Sequence, residues 1–308
     1  FDFWQNEGYV LVEGCWSWYN GYIPDTFTTA GNGTGFKLGP CSAVTTLRRT
    51  VQNCIAFKNR SFGIIENESP VNMNIYNNTA IQNGSQNYLF GFWPAQFPKT
   101  FKNNISYDSG TLFGNVWHTF GADAVHSNNT WDSAVTVTYA DFLSSDDSAL
   151  DNARFADGTL PETVFLKLAN GSDLKNAGTN VGIAFNGAAP DMGYFESTGN
   201  TYFVAPSGND TTGTGALATP WFSLNKAWTV IAAGDIVYMR GGTYTHTVQQ
   251  YLTGKNGSSG NVISIRAYPG EAPSITRGVT FDKSAGYHKG MVFMTANYVH
   301  IKGIRFTG

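Results

Sequence analysis

The chain has 308 residues, enough for one large domain or two medium ones, with a net charge of −3 and 13% charged residues. That charged share is about half the usual one, so Asn, Ser, Thr and Gly must supply the polar surface. The charge balance gives no reason to expect a nucleic-acid partner, and no apolar run is long enough to span a membrane.

Phe1 opens in the middle of a pattern without a signal peptide, as a mature, processed or fragmentary chain would. Short β-type runs with polar turns follow: YVLVEGCWSWYNG at 9–21, TVQNCIAFKN at 50–59, MNIYNNTAIQNG at 73–84, TFKNNISYDSG at 100–110 and AVHSNNTWDS at 124–133. Aligned on Asn53, Asn77, Asn103 and Asn128 they repeat every 24, 26 and 25 residues. A period in the twenties with short strands and almost no helix pattern predicts an all-β solenoid, a right-handed parallel β-helix. Asparagines at one point of successive coils are expected to form a side-chain amide ladder. Cys15, Cys41 and Cys54 are odd in number and lack zinc-site spacing, which predicts buried thiols, with one disulfide as the alternative. Sequons such as Asn77-Asn78-Thr79 and Asn104-Ile105-Ser106 matter only in a host that glycosylates.

Residues 1–133 thus read as β-helix coils. Residues 134–199 lose the rhythm, close on AAPDMGYFE, and are expected to cap the last coil, because an open coil end presents unpaired edges. Residues 200–308 start afresh, as a second unit or as the same domain out of order. SLNKAWTVI at 223–231 predicts a short helix with Ser223 as N-cap, and NVISIRAYPG and YVHIKGIRFTG look like first coils.

Within GNGTGFKLG at 31–39, Lys37 stands between two apolar residues. On a strand it points outward if Phe36 and Leu38 face the core, either as an aimed cation or as a solvated lysine. Gly31, Gly33 and Gly35 are expected to permit a tight approach and to keep side chains clear of a groove there. Arg48, Arg49 and Lys58 could meet the carboxylates of a polyanion or be plain surface charge. Trp18 and Tyr22, in an aromatic-rich stretch, could lie against sugar rings or fill the stack. Glu7, Glu13 and Asp25 carry no motif, and Asp146-Asp147 reads as a solvated turn.

GNGTGFKLG, FDFWQNEGYVLVEGCWSWYNG and NCIAFKN resemble the central coils of family 9 polysaccharide lyases, pectate-lyase-like parallel β-helices. FLKLANGSDLKNAG and PDMGYFE resemble the end of such an enzyme, and TYFVAPSGND, AAGDIVYMRGGTY and ISIRAYPGEAP its start, so the order is swapped. The resemblance implies β-elimination of a polygalacturonate-like uronan with Lys37 as base. It implies calcium held by aspartates, Asp2 aligning with the last of them and the others lying before Phe1. It also implies a secreted or cell-surface protein whose partner is an acidic polysaccharide. A tandem array, a circular permutant, or stacked solenoids would each give this order. A filament-forming structural β-helix and a non-catalytic polysaccharide-binding one are the alternatives.

Overall fold

The computed structural model describes residues 1–24, 26–91, 96–110, 117–278 and 291–307. The chain forms two units, the first made of Phe1–Asp141 with Gly171–Ser197, the second of Phe142–Asn170 with Thr198–Gly308.

The first unit is a stack of three-strand coils. One sheet, the long sheet, holds β1 (Val10–Glu13), β4 (Val44–Gln52), β7 (Val71–Tyr76), β10 (Lys99–Lys102) and β13 (Ala124–Ser127). A second, the small-residue sheet, holds β2 (Trp16–Trp18), β5 (Ile55–Phe57), β8 (Thr79–Ile81) and β11 (Ile105–Tyr107). A third, the lysine sheet, holds β3 (Phe36–Lys37), β6 (Ile64–Ile65), β9 (Tyr88–Phe90) and β12 (His118–Phe120). All pairings are parallel, each strand lying over the equivalent strand of the next coil. The fold is the expected right-handed parallel β-helix. Alternation buries Val12, Val51, Ile75 and Phe101 from the long sheet against Phe36, Ile64 and Tyr88 from the lysine sheet. Ser17, Ala56, Ala80 and Ser106 occupy one row of the small-residue sheet, where Ala56 and Ala80 join that core.

Between the long and small-residue sheets every coil turns in two residues. The first has φ between +51° and +61°, at Gly14, Asn53, Asn77, Asn103 and Asn128. Asn and Gly are the residues that enter this left-handed region at least cost, which accounts for the Asn period. The continuous amide ladder lies one residue later than expected: Asn78 Nδ2 donates to Asn104 Oδ1 at 3.0 Å, and Asn104 Nδ2 to Asn129 Oδ1 at 2.8 Å. The earlier row makes one such bond, Asn103 to Asn77 at 3.1 Å. A second ladder runs Asn20, Asn59, Asn83, Asn87 with bonds of 2.7 to 2.9 Å. Asn77 and Asn104, two of the sequon asparagines, are buried and bonded in these rows, so the folded protein presents neither to a glycosyl donor. Cys15, Cys41 and Cys54 form no disulfide, and of the three only Cys54 is fully buried; Cys15 and Cys41 are half-buried.

Residues 134–199 divide between the units. Residues 171–197 lie along the flank of the first unit: Gly193 N donates to Asn103 O, Asn103 Nδ2 to Thr179 O, and Tyr194 N to Thr79 Oγ1. They cover the outer row of the small-residue sheet at Thr79 and Ile105, against which Gly193 lies, and both are buried there. The closing motif ties itself together: Asp191 accepts from Asn176 N and Ser197 N, and Glu196 from Asn186 N and Asp191 N.

In the second unit β14 (Thr201–Val204), β15 (Ile236–Met239), β18 (Ile263–Ala267) and β21 (Val299–Lys302) form one parallel sheet. β16 (Gly242–His246), β19 (Pro273–Arg277) and β22 (Arg305–Thr307) form a second, and β17 (Gln250–Leu252) with β20 (Val292–Met294) a third. The helix α1 (Leu224–Val230) has Ser223 as its N-cap, accepting from Lys226 N, and buries Leu224, Ala227 and Trp228 against this core. Residues 142–170 pack on the first of these sheets through Val164, against Phe203 and Tyr238, and through Glu162, which accepts from Tyr238 Oη and Arg266.

Candidate active site

Phe36 and Leu38 are fully buried, and Lys37 between them stands on the outer face of the lysine sheet. Its side chain is 18% exposed. Asp2 forms a parallel bridge to Lys37 from the adjoining rung, and the Lys37 Nζ meets Asp2 Oδ2 at 2.9 Å. The outer row continues through Ile65, Leu89 and Thr119, so its charged chemistry is confined to the first two rungs. Of the residues singled out from sequence, Asp2 is the one brought into contact with Lys37 among the described residues.

The others are placed elsewhere. Arg49 is a correction: it lies at an inward position of β4 and is fully buried. Its guanidinium donates to the carbonyls of Leu38, Gly8, Arg48 and Asn6, stapling strand to turn, and burial pushes its pKa down. It offers nothing to a polyanion. Arg48 is half-buried on the same strand. Lys58 follows β5, bonds Tyr19 Oη at 3.1 Å and lies 4.8 Å from the Phe57 ring centroid. Tyr22 packs edge-on to Phe27, as does Tyr19. These rings, with Phe27 63% exposed, form an aromatic group beside a cation on the loop that leads to Lys37. Trp18 is half-buried on β2. Glu7 caps Ser42 N, Glu13 accepts from Gln52, and Asp146 accepts from Ser148 N, which lowers its pKa. Asp25 lies outside the described residues.

Of the glycines before Lys37, Gly33 and Gly35 permit the expected tight approach, while Gly31 has open space around it. A Cβ on Gly35 would sit 2.6 Å from Gly63 O and 2.7 Å from Asn59 Nδ2, so Gly35 is required by coil stacking on the amide ladder. Gly33, at φ +79°, makes room for Arg60, whose guanidinium donates to Gly31 O and Asn32 O.

Calcium needs six to eight converging oxygens. Among the described residues no three His, Cys, Asp or Glu side chains converge, and the Asp2 carboxylate already faces an ammonium. The described residues therefore do not fit the calcium site that the resemblance implies.

A second cluster gave no sequence signal. Lys99, Glu66 and Asp123 are buried together inside the first unit, Lys99 Nζ lying 3.2 Å from Glu66 and in direct contact with Asp123. Each is an isolated charge in the sequence, and only the coil register joins them.

Residues 1–116 and 202–308 match the family model described as Pel9A-like, right handed beta helix region. Pectate lyase L of Dickeya chrysanthemi is 38% identical over 200 residues, covering 64% of this chain and 44% of the relative. Pectate lyase L of Paenibacillus polymyxa (strain SC2) is 33% identical over 180 residues, 57% of this chain and 38% of the relative. The crystal structure of pectate lyase Pel9A aligns with a TM-score of 0.55 and 34% identity, covering 64% of this chain and 47% of that one. The chain thus spans less than half the length of these relatives.

Proposed function

Because the chain belongs to the Pel9A-like right-handed β-helix family, we propose that it is a lyase that cleaves an acidic, pectate-type polysaccharide by β-elimination with Lys37 as the base. The observation that carries this reading is the aimed position of Lys37: outward between two buried residues, in register with Asp2.

The amine form of Lys37 takes the proton from C5 of a uronate. The C5–H electron pair becomes the C4–C5 double bond, and the C4–O glycosidic bond breaks with its electrons on oxygen. A lysine serves as a base only when unprotonated, so activity belongs at alkaline pH. Asp2 holds Nζ in place at 2.9 Å until the substrate's own carboxylate enters the row. Tyr22, Phe27 and Lys58 supply an aromatic and cationic surface against which sugar rings and a carboxylate can rest. A substrate of this size and charge lies outside the cell or on its surface, and the protein acts there. No helix among the described residues is long and apolar enough to cross a membrane.

The test is the ultraviolet absorbance of unsaturated uronate formed from polygalacturonate at alkaline pH, with added calcium and with chelator. A rise that Lys37→Ala abolishes supports the assignment. Folded protein that yields no unsaturated product, or a rise untouched by Lys37→Ala, refutes it.

A further inference from the structure

A cavity in the second unit shares no residue with the Lys37 row. It encloses about 330 Å³, within the range that holds small organic ligands. Strand register builds one wall. Met239 pairs with Ala267, so the next residues, Arg240 and Tyr268, leave β15 and β18 side by side. The Arg240 guanidinium lies 4.4 Å from the centroid of the Tyr268 ring. After Tyr268 the chain turns through Pro269 and Gly270, at φ +77°, and Glu271 N donates to Tyr268 O. That turn brings the Glu271 carboxylate onto Arg240, which donates from Nε and Nη2 at 2.7 to 3.0 Å, and onto Gly241 N. Asp146 and Asn152, on either side of a short 3₁₀ turn at Ser148–Asp151, line another wall.

These walls keep hydrogen-bonding capacity in reserve. Among the described residues the Tyr268 hydroxyl, the Asn152 side-chain amide and Arg240 Nη1 make no hydrogen bond. Asp146 is exposed and its carboxylate accepts from Ser148, which leaves it lone pairs to spare. Leu217 and Pro269 add apolar surface between these groups. Charge narrows the ligand. Two carboxylates, Asp146 and Glu271, line the cavity with one guanidinium, and Glu271 already matches Arg240. The charge left over is that of Asp146, which favours hydroxyl donors and repels the carboxylate of a uronate. A neutral sugar presents hydroxyls round its rim and C–H groups on its faces, the complement of such a wall.

We propose that this cavity binds a neutral sugar residue of an oligosaccharide or polysaccharide. Asp146, Asn152 and the Tyr268 hydroxyl hold its hydroxyls, and Leu217 and Pro269 lie against its C–H faces. Arg240 and Glu271 act as a matched pair that fixes the Tyr268 ring and leaves no net cation for an acidic sugar. The site binds without cleaving and does not rest on the lyase reading.

Galactotetraose, arabinotetraose and xylotetraose are titrated into the protein by isothermal calorimetry, up to millimolar concentration. Tetragalacturonate is titrated into Lys37→Ala, so that turnover gives no heat. At least one neutral tetraose is expected to bind. Asp146→Asn keeps the shape of the side chain, removes the charged acceptor and lowers that affinity on the order of tenfold or more. Tyr268→Phe keeps the ring under Arg240, removes the hydroxyl and lowers it by about three- to tenfold. Asp146 is exposed and Tyr268 half-buried, so both variants fold, which circular dichroism checks. No heat from any of the neutral tetraoses overturns the proposal. So does neutral binding that either variant leaves unchanged. Tetragalacturonate bound more tightly than the neutral sugars, and lost when Asp146→Asn or Tyr268→Phe is added, overturns it as well.

Discussion

Replacing Lys99 with Met removes the one cation of the buried cluster and leaves the Glu66 and Asp123 carboxylates facing each other. All three side chains are at most 1% exposed. At an effective dielectric of about 20, the 3.2 Å from Nζ to Glu66 corresponds to roughly 5 kcal/mol of attraction. The contact with Asp123 adds a second term of that size. Most of this is offset by the cost of bringing three charges out of water, so the cluster as a whole adds little stability. Removing one member is different, because the desolvation of the two carboxylates stays while their partner is gone. The expected loss is about 3 to 5 kcal/mol for Lys99→Met, read from the urea midpoint of unfolding. Adding Glu66→Gln and Asp123→Asn to Lys99→Met removes the stranded charges and returns a large part of the loss. Lys99→Met within about 1 kcal/mol of the parent, or a triple variant no better than the single one, would refute this account.

Lys37→Ala is expected to lower elimination by roughly a hundred- to ten-thousand-fold and to move the urea midpoint by no more than about 1 kcal/mol, since its ion pair is partly exposed; kinetics and unfolding on the same sample separate the two. Asn104→Ala strips partners from Asn78, Asn129 and Ile75 O at once and should cost about 3 kcal/mol by urea unfolding. Burial holds the Lys167 pKa down at about 8, against 10.5 for a free lysine. The folded state then binds fewer protons than the unfolded one between those values, so stability is lower below pH 8 and rises by about 3 kcal/mol towards pH 10.5, a slope that Lys167→Met flattens. Burial raises the Cys54 thiol well above its ordinary pKa, so an alkylating reagent at neutral pH should label Cys54 only after denaturation.

The coil period was legible because the left-handed corner residue is nearly always Asn, a choice made by backbone sterics rather than by distant contacts. The outward aim of Lys37 was legible for a similar local reason: alternation between two apolar neighbours. Arg49 was not, since a charged residue on a strand reads as surface charge. Its inward position becomes plain only when the Asn6, Gly8 and Leu38 carbonyls are seen to converge on it. The Glu66, Lys99 and Asp123 cluster was hidden for the same cause, because its members come from successive coils and meet only through register. The ladder was read one residue early, since both residues of each two-residue corner are often Asn and sequence does not say which side chain turns inward.

The corners differ in how far they can vary in length. Between the long and small-residue sheets each coil allows two residues, and one more would turn the following strand inside out. Between the small-residue and lysine sheets the segments 19–35, 58–63, 82–87 and 108–117 differ widely in length while the strands they join stay paired in register. New sequence can therefore be grafted at that corner without disturbing the stack, and its longest natural insertion, 19–35, is the one that leads into Lys37. Divergence among chains of this architecture should gather there, so that specificity evolves by lengthening one corner while the two-residue corner keeps the count.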